Sequence, residues 1–578
     1  MLDRALKIWN TVKYMKLRQW KYRLFYTVRN TIKKRVPKVI KHSCSVFLLP
    51  TYYSVNIKNR DIILAEGILK NKIPTVSGKN VDFSGDWDLK GEQYRLVCFK
   101  LNSFRWLINL SDAYKTTGDD KYIKKGTELI KDWYFKCGHS ISGDKWNAYV
   151  IAERIENWIA FCSEYDAENV KQYANWIYPQ ANELRNSIEF QLGANHILSE
   201  AKALVFAGRF LNDDALYRFG KKILVDEAKT QFLQDGGHYE RSVSYHIESL
   251  QQYFEAYAVM RIGQDSDAGD IAKLMIEPYR YLNGIIGVNG KIPLFNDSAY
   301  DYPFFDAADF LSTAEILYGY YPPNAKKGSY YKRWSWVGNG NYIIEWNFKT
   351  RYENTGYIHY QFGVGENKYS FYMDTADCGP DENLGHAHAD ALSILLSSDC
   401  EEILVDSGVF TYVPGDERNY CRSTKAHNTV EVDGKNSAEI WSAFRVAKRG
   451  HTKVIEFDEA DGLWIKASHD GYKKILKDSV EHIREVSIHD GRIEVFDKLL
   501  SKDKHIAVSR FHIGSDCTVD KIDNNTCIIN NHIRISNENE LNLVDCEVAG
   551  MFGIRQRTKC IEIDFKGKKS NKTTISIE

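Results

Sequence analysis

From about residue 60 to residue 330, apolar side chains recur every three or four positions. Ile197, Leu198, Ala201, Leu204, Val205 and Gly208 form one stripe, and Leu250, Tyr253, Phe254 and Tyr257 another. That spacing places side chains on one face of a 3.6-residue helix. Further helices are expected around Leu129, Ile130 and Trp133 and around Ile155, Trp158 and Ile159. The breaks between them are short and polar or contain glycine, so this half reads as all-α, an array of helix hairpins packed on one another. No letter-for-letter repeat underlies it; a curved or closed array rests on the number of helices and their short connections.

Past about residue 335 the period falls to two. Val430 and Val432 precede Asp433-Gly434, and Val486 and Ile488 precede Asp490-Gly491, with Ile493 and Val495 beyond. Apolar alternation interrupted by Asp-Gly is the pattern of antiparallel hairpins. It continues to Ile577 without helical crossovers, which favours an antiparallel β-sandwich over a parallel sheet. The fold class is therefore multidomain α plus β, with the boundary near Gly338 to Asn341: residues 61–337 helical and 338–578 the sandwich. A chain of 578 residues is long enough for at least two cores.

Charge adds a third region. The 77 basic and 77 acidic residues cancel, but residues 1–41 hold thirteen Lys or Arg against the single Asp3. Residues 1–60 are thus a basic arm on an acidic body, expected to be a solvated face or a strap, with lipid headgroups or an acidic glycan as the other partners such charge attracts. Nucleic-acid binding is not indicated. Lys7, Lys13, Lys16, Arg18 and Lys21 break every candidate secretory core near the start, and no membrane-spanning run is expected. The eleven cysteines are scattered singly without a Cys-x-x-Cys pair, which argues against a disulfide scaffold or a cysteine zinc site and fits reduced thiols. A cytoplasmic or cell-envelope location follows, periplasmic if the chain is exported. The 36 Tyr, 27 Phe and 13 Trp are mostly core, and are also the rings on which sugars stack.

Three clusters carry candidate chemistry. Asn195-His196 lies just ahead of the helix expected from Ile197, where a helix N-terminus favours a carboxylate; Asn195 acting simply as a cap is an equal reading. Asp235-Gly-Gly-His-Tyr-Glu-Arg-Ser-Val-Ser-Tyr-His246 pairs a tight turn with Glu240, Arg241, Tyr245 and His246 at the entry to the next helix. Gly385-His-Ala-His-Ala-Asp390 puts His386 and His388 on one face of an extended segment, and His388 with Asp406 and His427 would suit zinc in ligand type and number. A metallo-hydrolase pattern of the His-x-His-x-Asp-His kind is broken by Ala391.

Taken together, Asn195-His196, Asp235-Gly236 to Tyr245-His246, His386-x-His388, Asp406-Ser-Gly408 and Arg422-Ser-Thr-Lys-Ala-His-Asn428 resemble, in order and separation, the heparinase II/III-like polysaccharide lyases. The resemblance covers roughly residues 85–450. It implies an N-terminal (α/α) toroid, a C-terminal antiparallel β domain and cleavage of a uronic-acid-containing acidic polysaccharide by β-elimination. That reaction removes the proton at carbon 5 of a uronate and expels the oxygen at carbon 4, and it needs a carboxylate neutraliser, a base and an acid. The resemblance assigns Asn195 as neutraliser with His196 beside it, Tyr245 as the acid and also a base if Arg241 or His246 supplies positive charge, and His386 as the alternative base. It puts Arg241, His246 and Tyr420 on the substrate side and makes His388, Asp406 and His427 a structural zinc site, with no organic cofactor. The family's glutamate three residues after the Asn-His histidine is here Ser199, followed by Glu200. Some members lie among genes for surface polysaccharides, and the basic start without a leader resembles that subgroup. Two other readings stay open: a non-catalytic or assembly-related glycan binder, and a glycoside hydrolase using Glu153, Glu240 and Asp297.

Overall fold

The computed structural model describes residues 2–31, 59–76, 79–89, 91, 95–302 and 306–578; residues 32–58 of the basic arm lie outside the described residues. The apolar stripes become the helices Lys121–Cys137, Ala148–Tyr165, Ala194–Phe210 and Val243–Ile262. Ala194–Phe210 packs closely on Asp214–Gln231 because glycine sits at both crossing points. A Cβ on Gly208 would meet the Tyr217 backbone nitrogen at 2.5 Å, and one on Gly220 the Ala201 carbonyl at 2.5 Å. The core beneath these hairpins is aromatic, with Trp133 and Trp158 edge to face at 5.4 Å and Arg154 lying 3.9 Å over the Trp133 ring.

The helical half is not purely α. Lys72–Val76 and Lys79–Asp82 form a small hairpin, which the sequence pattern hides because Pro74 and the shortness of the strands mask any alternation. The helical half ends with Ser335–Val337, and the strands of the β domain, which also carries the short helices Asp416–Cys421 and Gly471–Ile475, begin at Arg351.

That domain holds an eight-stranded, a five-stranded and a four-stranded antiparallel sheet. Its Asp-Gly pairs are the expected turns: Asp490 and Gly491 take φ of 47° and 73° between strands Glu481–His489 and Arg492–Leu500. The five-stranded sheet, built from residues 351–404, joins the two halves. Ile358, Phe371, Met373, Ile394 and Leu396 enter the core of the β domain, while the alternating Tyr357, Tyr372 and Leu395 enter the helical core. The two-residue period thus buries both faces of one sheet, and the loop between its strands Asn367–Asp374 and Ile394–Ser398 is held against the helices. Asp235 reinforces the junction by accepting from the backbone nitrogens of Asn354 and Thr355, each at 2.8 Å.

The described part of the basic arm, residues 2–31, is a strap. Helices Leu2–Val12 and Leu17–Thr31 lie across both halves. Arg18 and Arg29 pair with Glu227 and Glu183 of the helical half, each at 2.7 Å. On the other side the Arg449 guanidinium of the β domain covers Tyr14 at 3.7 Å, and Trp441 donates to the Thr11 hydroxyl at 3.1 Å.

Candidate active site

The helical half and the loop of residues 375–393 meet at Tyr245 and His386. Tyr245 stands in the first turn of Val243–Ile262, where the Ser242 hydroxyl caps the helix by accepting from the Tyr245 backbone nitrogen. His386 stacks on the Tyr245 ring with centroids 3.7 Å apart. The phenol oxygens of Tyr245 and Tyr412 lie 3.1 Å apart, and Tyr302 packs on the other side of Tyr245 at 5.3 Å. Burial, with Tyr412, Tyr302 and Glu248 nearby, holds the Tyr245 phenol well above the ordinary tyrosine value. A phenol in that state keeps its proton until a stronger base receives it, which suits an acid.

His386 is oriented from behind. Its Nδ1 lies 2.9 Å from Asp297 Oδ2, and the same carboxylate receives Arg418 through both terminal nitrogens, at 2.5 and 2.6 Å, and His388 Nε2 at 2.9 Å. Burial alone would raise the Asp297 carboxyl, but Arg418 and the two imidazoles hold it well below the usual carboxylate range. With Nδ1 donating to Asp297, the His386 lone pair is on Nε2, the atom available to take a proton.

Asn195 and His196 form the second station. The helix begins at Ala194, one turn earlier than the pattern places it, because Gly193 and Ala194 take φ of 79° and 60° and turn the chain sharply into it. Asn195 is therefore no cap. Its Nδ2 donates to Glu248 Oε2 at 2.9 Å, the oxygen that also receives the Tyr302 hydroxyl at 2.8 Å. His196 stacks on Tyr149 at 4.7 Å, and its Nδ1 lies 2.7 Å from Glu189 Oε2. Burial opposes charge on this ring, but Glu189 outweighs it, so His196 titrates above ordinary histidine. Glu200, beside the Ser199 departure, is fully buried and accepts from the Glu189 backbone nitrogen at 2.8 Å. Burial and then Glu189 drive its carboxyl well up. The carboxylate serving His196 thus comes from the preceding loop.

Three residues expected on the substrate side are elsewhere. Arg241, at φ 56°, donates to the carbonyls of Thr355 and Asp377, both at 3.0 Å, and so fastens the two halves together. His246 is buried with Nε2 3.1 Å from the Pro278 carbonyl, and burial drives it down to about 3, so it carries no charge to ionise Tyr245. Tyr420 stacks on Phe410 in a separate small cluster with Cys421 and Ala549; the tyrosine at the site is Tyr412. Of the carboxylates named for a hydrolase, Asp297 is committed to Arg418. Glu240 is buried without a hydrogen-bond partner among the described residues, 4.0 Å from His386 Nε2.

Sequence reasoning missed Tyr412, Tyr302, Glu248 and Glu189. Glu248 alone left a signal, three residues beyond Tyr245 and hence on the same helix face.

The candidate metal ligands lie behind His386. His388, Asp390 and His427 bring one ligand atom each within 4.8 Å of one another. Asp406, expected as a ligand, instead accepts at 2.7 Å from His427 Nδ1, and Asp390 takes its place in the cluster. Among the described residues His388 Nδ1 and His427 Nε2 are buried and have no hydrogen-bond partner, while the opposite nitrogen of each ring is held by a carboxylate. Two bare imidazole nitrogens backed by carboxylates and joined by a third carboxylate fit a divalent metal such as zinc.

The model of the heparinase II/III N-terminus matches residues 28–306 of this chain, and that of the heparinase II/III-like C-terminal domain matches residues 349–578. Heparin-sulfate lyases of Pedobacter heparinus and Bacteroides thetaiotaomicron are 26% and 22% identical to it, each over 62% of this chain and 55% of their own length; the chain thus aligns with little more than half of each. The crystal structure of heparinase III superposes with a TM-score of 0.71 at 17% identity, covering 99% of this chain and 93% of that one, which places the same helical toroid and antiparallel β domain in both. With both halves matched in order and the whole fold superposed, the chain belongs to the heparinase II/III-like family.

Proposed function

We propose that the protein is a polysaccharide lyase that cleaves an acidic, uronic-acid-containing glycan by β-elimination. The observation that carries the reading is the stacking of His386 on Tyr245 at 3.7 Å across the junction of the two halves, which brings an imidazole lone pair and a protonated phenol to one place. Membership of a family whose relatives include heparin-sulfate lyases supports it.

The uronate carboxylate meets the Asn195 amide and the His196 imidazolium, whose hydrogen bonds and charge favour the enediolate as it forms. His386 Nε2 removes the carbon-5 proton, the C4–O bond breaks as the C4–C5 double bond forms, and the Tyr245 hydroxyl gives its proton to the leaving oxygen. Tyr245 as the base is disfavoured by the burial that raises its phenol. Tyr412, 3.1 Å from that phenol, is the group through which the proton is restored. A zinc ion held by His388, Asp390 and His427 would anchor the segment carrying His386 and supply structural cross-linking.

The test is ultraviolet absorbance of the unsaturated product over a panel of uronic-acid polysaccharides. Wild type is expected to produce it, and Tyr245→Phe to lose about 10²–10⁴-fold in rate. New reducing ends without the chromophore would turn the reading to a hydrolase, and tight binding with neither signal to a glycan-binding relative.

A further inference from the structure

The arm helices have one face on the body and another turned away from it. In Leu17–Thr31, Gln19, Tyr22, Tyr26 and Arg29 point inward: Gln19 reaches the Gln191 and Glu382 carbonyls, Tyr22 packs on Phe190 at 4.6 Å, Tyr26 donates to Ile188, and Arg29 pairs with Glu183. The opposite face carries Leu17, Trp20, Leu24 and Val28, at positions i, i+3, i+7 and i+11, a single helical stripe. These side chains are 85%, 48%, 69% and 56% exposed. Leu2–Val12 repeats the arrangement, with Thr11 on the body and the outward Leu6 and Trp9 52% and 62% exposed. Lys13 and Lys21, both exposed, interleave with the apolar residues.

We propose that this face binds the surface of an anionic lipid bilayer, the two helices lying in the headgroup layer with their leucines and tryptophans in the acyl boundary. An exposed row of Leu, Trp and Val needs an apolar phase, which an acidic polysaccharide does not offer, and tryptophan favours the membrane interface. Basic residues beside such a row supply attraction to anionic headgroups. The inward face is already occupied by the body, so binding needs no detachment of the arm. Among the described residues no helix is long and apolar enough to cross a membrane, so the attachment is peripheral. Leu17–Thr31 touches the loop that precedes Asn195 at Gln191 and the loop that carries His386 at Glu382, so the docked protein would hold its candidate site beside the lipid surface.

The experiment is co-sedimentation of the full chain with vesicles of phosphatidylcholine alone and of phosphatidylcholine with phosphatidylglycerol, alongside sedimentation velocity without lipid. Binding to the anionic vesicles is expected, at least about tenfold weaker with neutral ones. Trp20→Ser/Leu24→Ser/Val28→Ser should lose about tenfold or more in partitioning with unchanged circular dichroism, and Lys13→Gln/Lys21→Gln should lose less and only on anionic vesicles. Failure to bind the anionic vesicles, equal binding by the triple variant, or a concentration-dependent dimer that the triple variant abolishes would each overturn the proposal, the last making the stripe a surface between copies. Lyase activity on soluble glycan is unaffected by either variant, so this outcome is separate from that of the catalytic reading.

Discussion

The helical wall and the β wall of the cleft each present an imidazole whose Nδ1 rests on a carboxylate, at 2.7 Å for His196 and 2.9 Å for His386. What lies behind the two carboxylates differs. No guanidinium pairs with Glu189 among the described residues, and its negative charge acts on His196, favouring the cation. Asp297 has Arg418 on both oxygens, so its charge is already balanced and it chiefly orients His386. One motif thus favours the cation of His196 on one wall and fixes the orientation of the His386 ring on the other. What a carboxylate does for a histidine depends on what else that carboxylate holds.

The largest effect should come from removing the balance on the β wall. Asp297→Asn leaves Arg418 buried without its counter-ion and is expected to cost about 3–5 kcal/mol, read as a lower urea midpoint, together with lost activity. An unchanged midpoint would mean that Asp297 is not the hub of that wall. Next, His386→Ala should lower kcat by about 10²–10⁴-fold with KM little changed, whereas His196→Ala should lower kcat and raise KM together, because the imidazole meets the carboxylate before and during the elimination; an unchanged KM in His196→Ala would erase the contrast. Third, Glu189→Gln removes the charge that favours the His196 cation. Because that pKa is raised, the imidazolium is present below it and lost as pH rises through it. The alkaline limb of the wild-type rate profile should therefore move to lower pH in the variant, and a limb that stays in place would dissociate it from His196. The smallest effect is the metal's: zinc in excess should raise Tm by a few degrees through binding to the folded state, and His427→Ala should abolish the rise, which calorimetry reads without any assay of activity.

Much of the fold was legible because its signals are local. The stripes at Ile197–Gly208 and Leu250–Tyr257 fall inside observed helices, and Asp433-Gly434 and Asp490-Gly491 turn at positive φ. The site was legible only as far as residue types in order could carry it. Tyr412 lies in a loop and Tyr420 eight positions on in the short helix Asp416–Cys421, and nothing local tells which ring reaches Tyr245. Arg241 lies four residues before Tyr245, yet its positive φ turns its guanidinium to the carbonyls of the neighbouring half. Asp406 is the carboxylate expected beside His388 and His427; that Asp390 comes near both imidazoles while Asp406 holds His427 Nδ1 is set by packing, which residue order does not show. Glu189 escaped notice because its relation to His196 passes through a turn set by Gly193 and Ala194.

Asp297 also has a mechanical meaning. It belongs to the helical half, while His386, His388 and Arg418 belong to the β half. A hinge that parted the two halves at this point would strip a buried carboxylate of every charged donor at once, which a thermal fluctuation rarely supplies. Asp297 is therefore a weld as well as a hydrogen-bond partner: the contact that orients His386 is also one that holds the two halves in register.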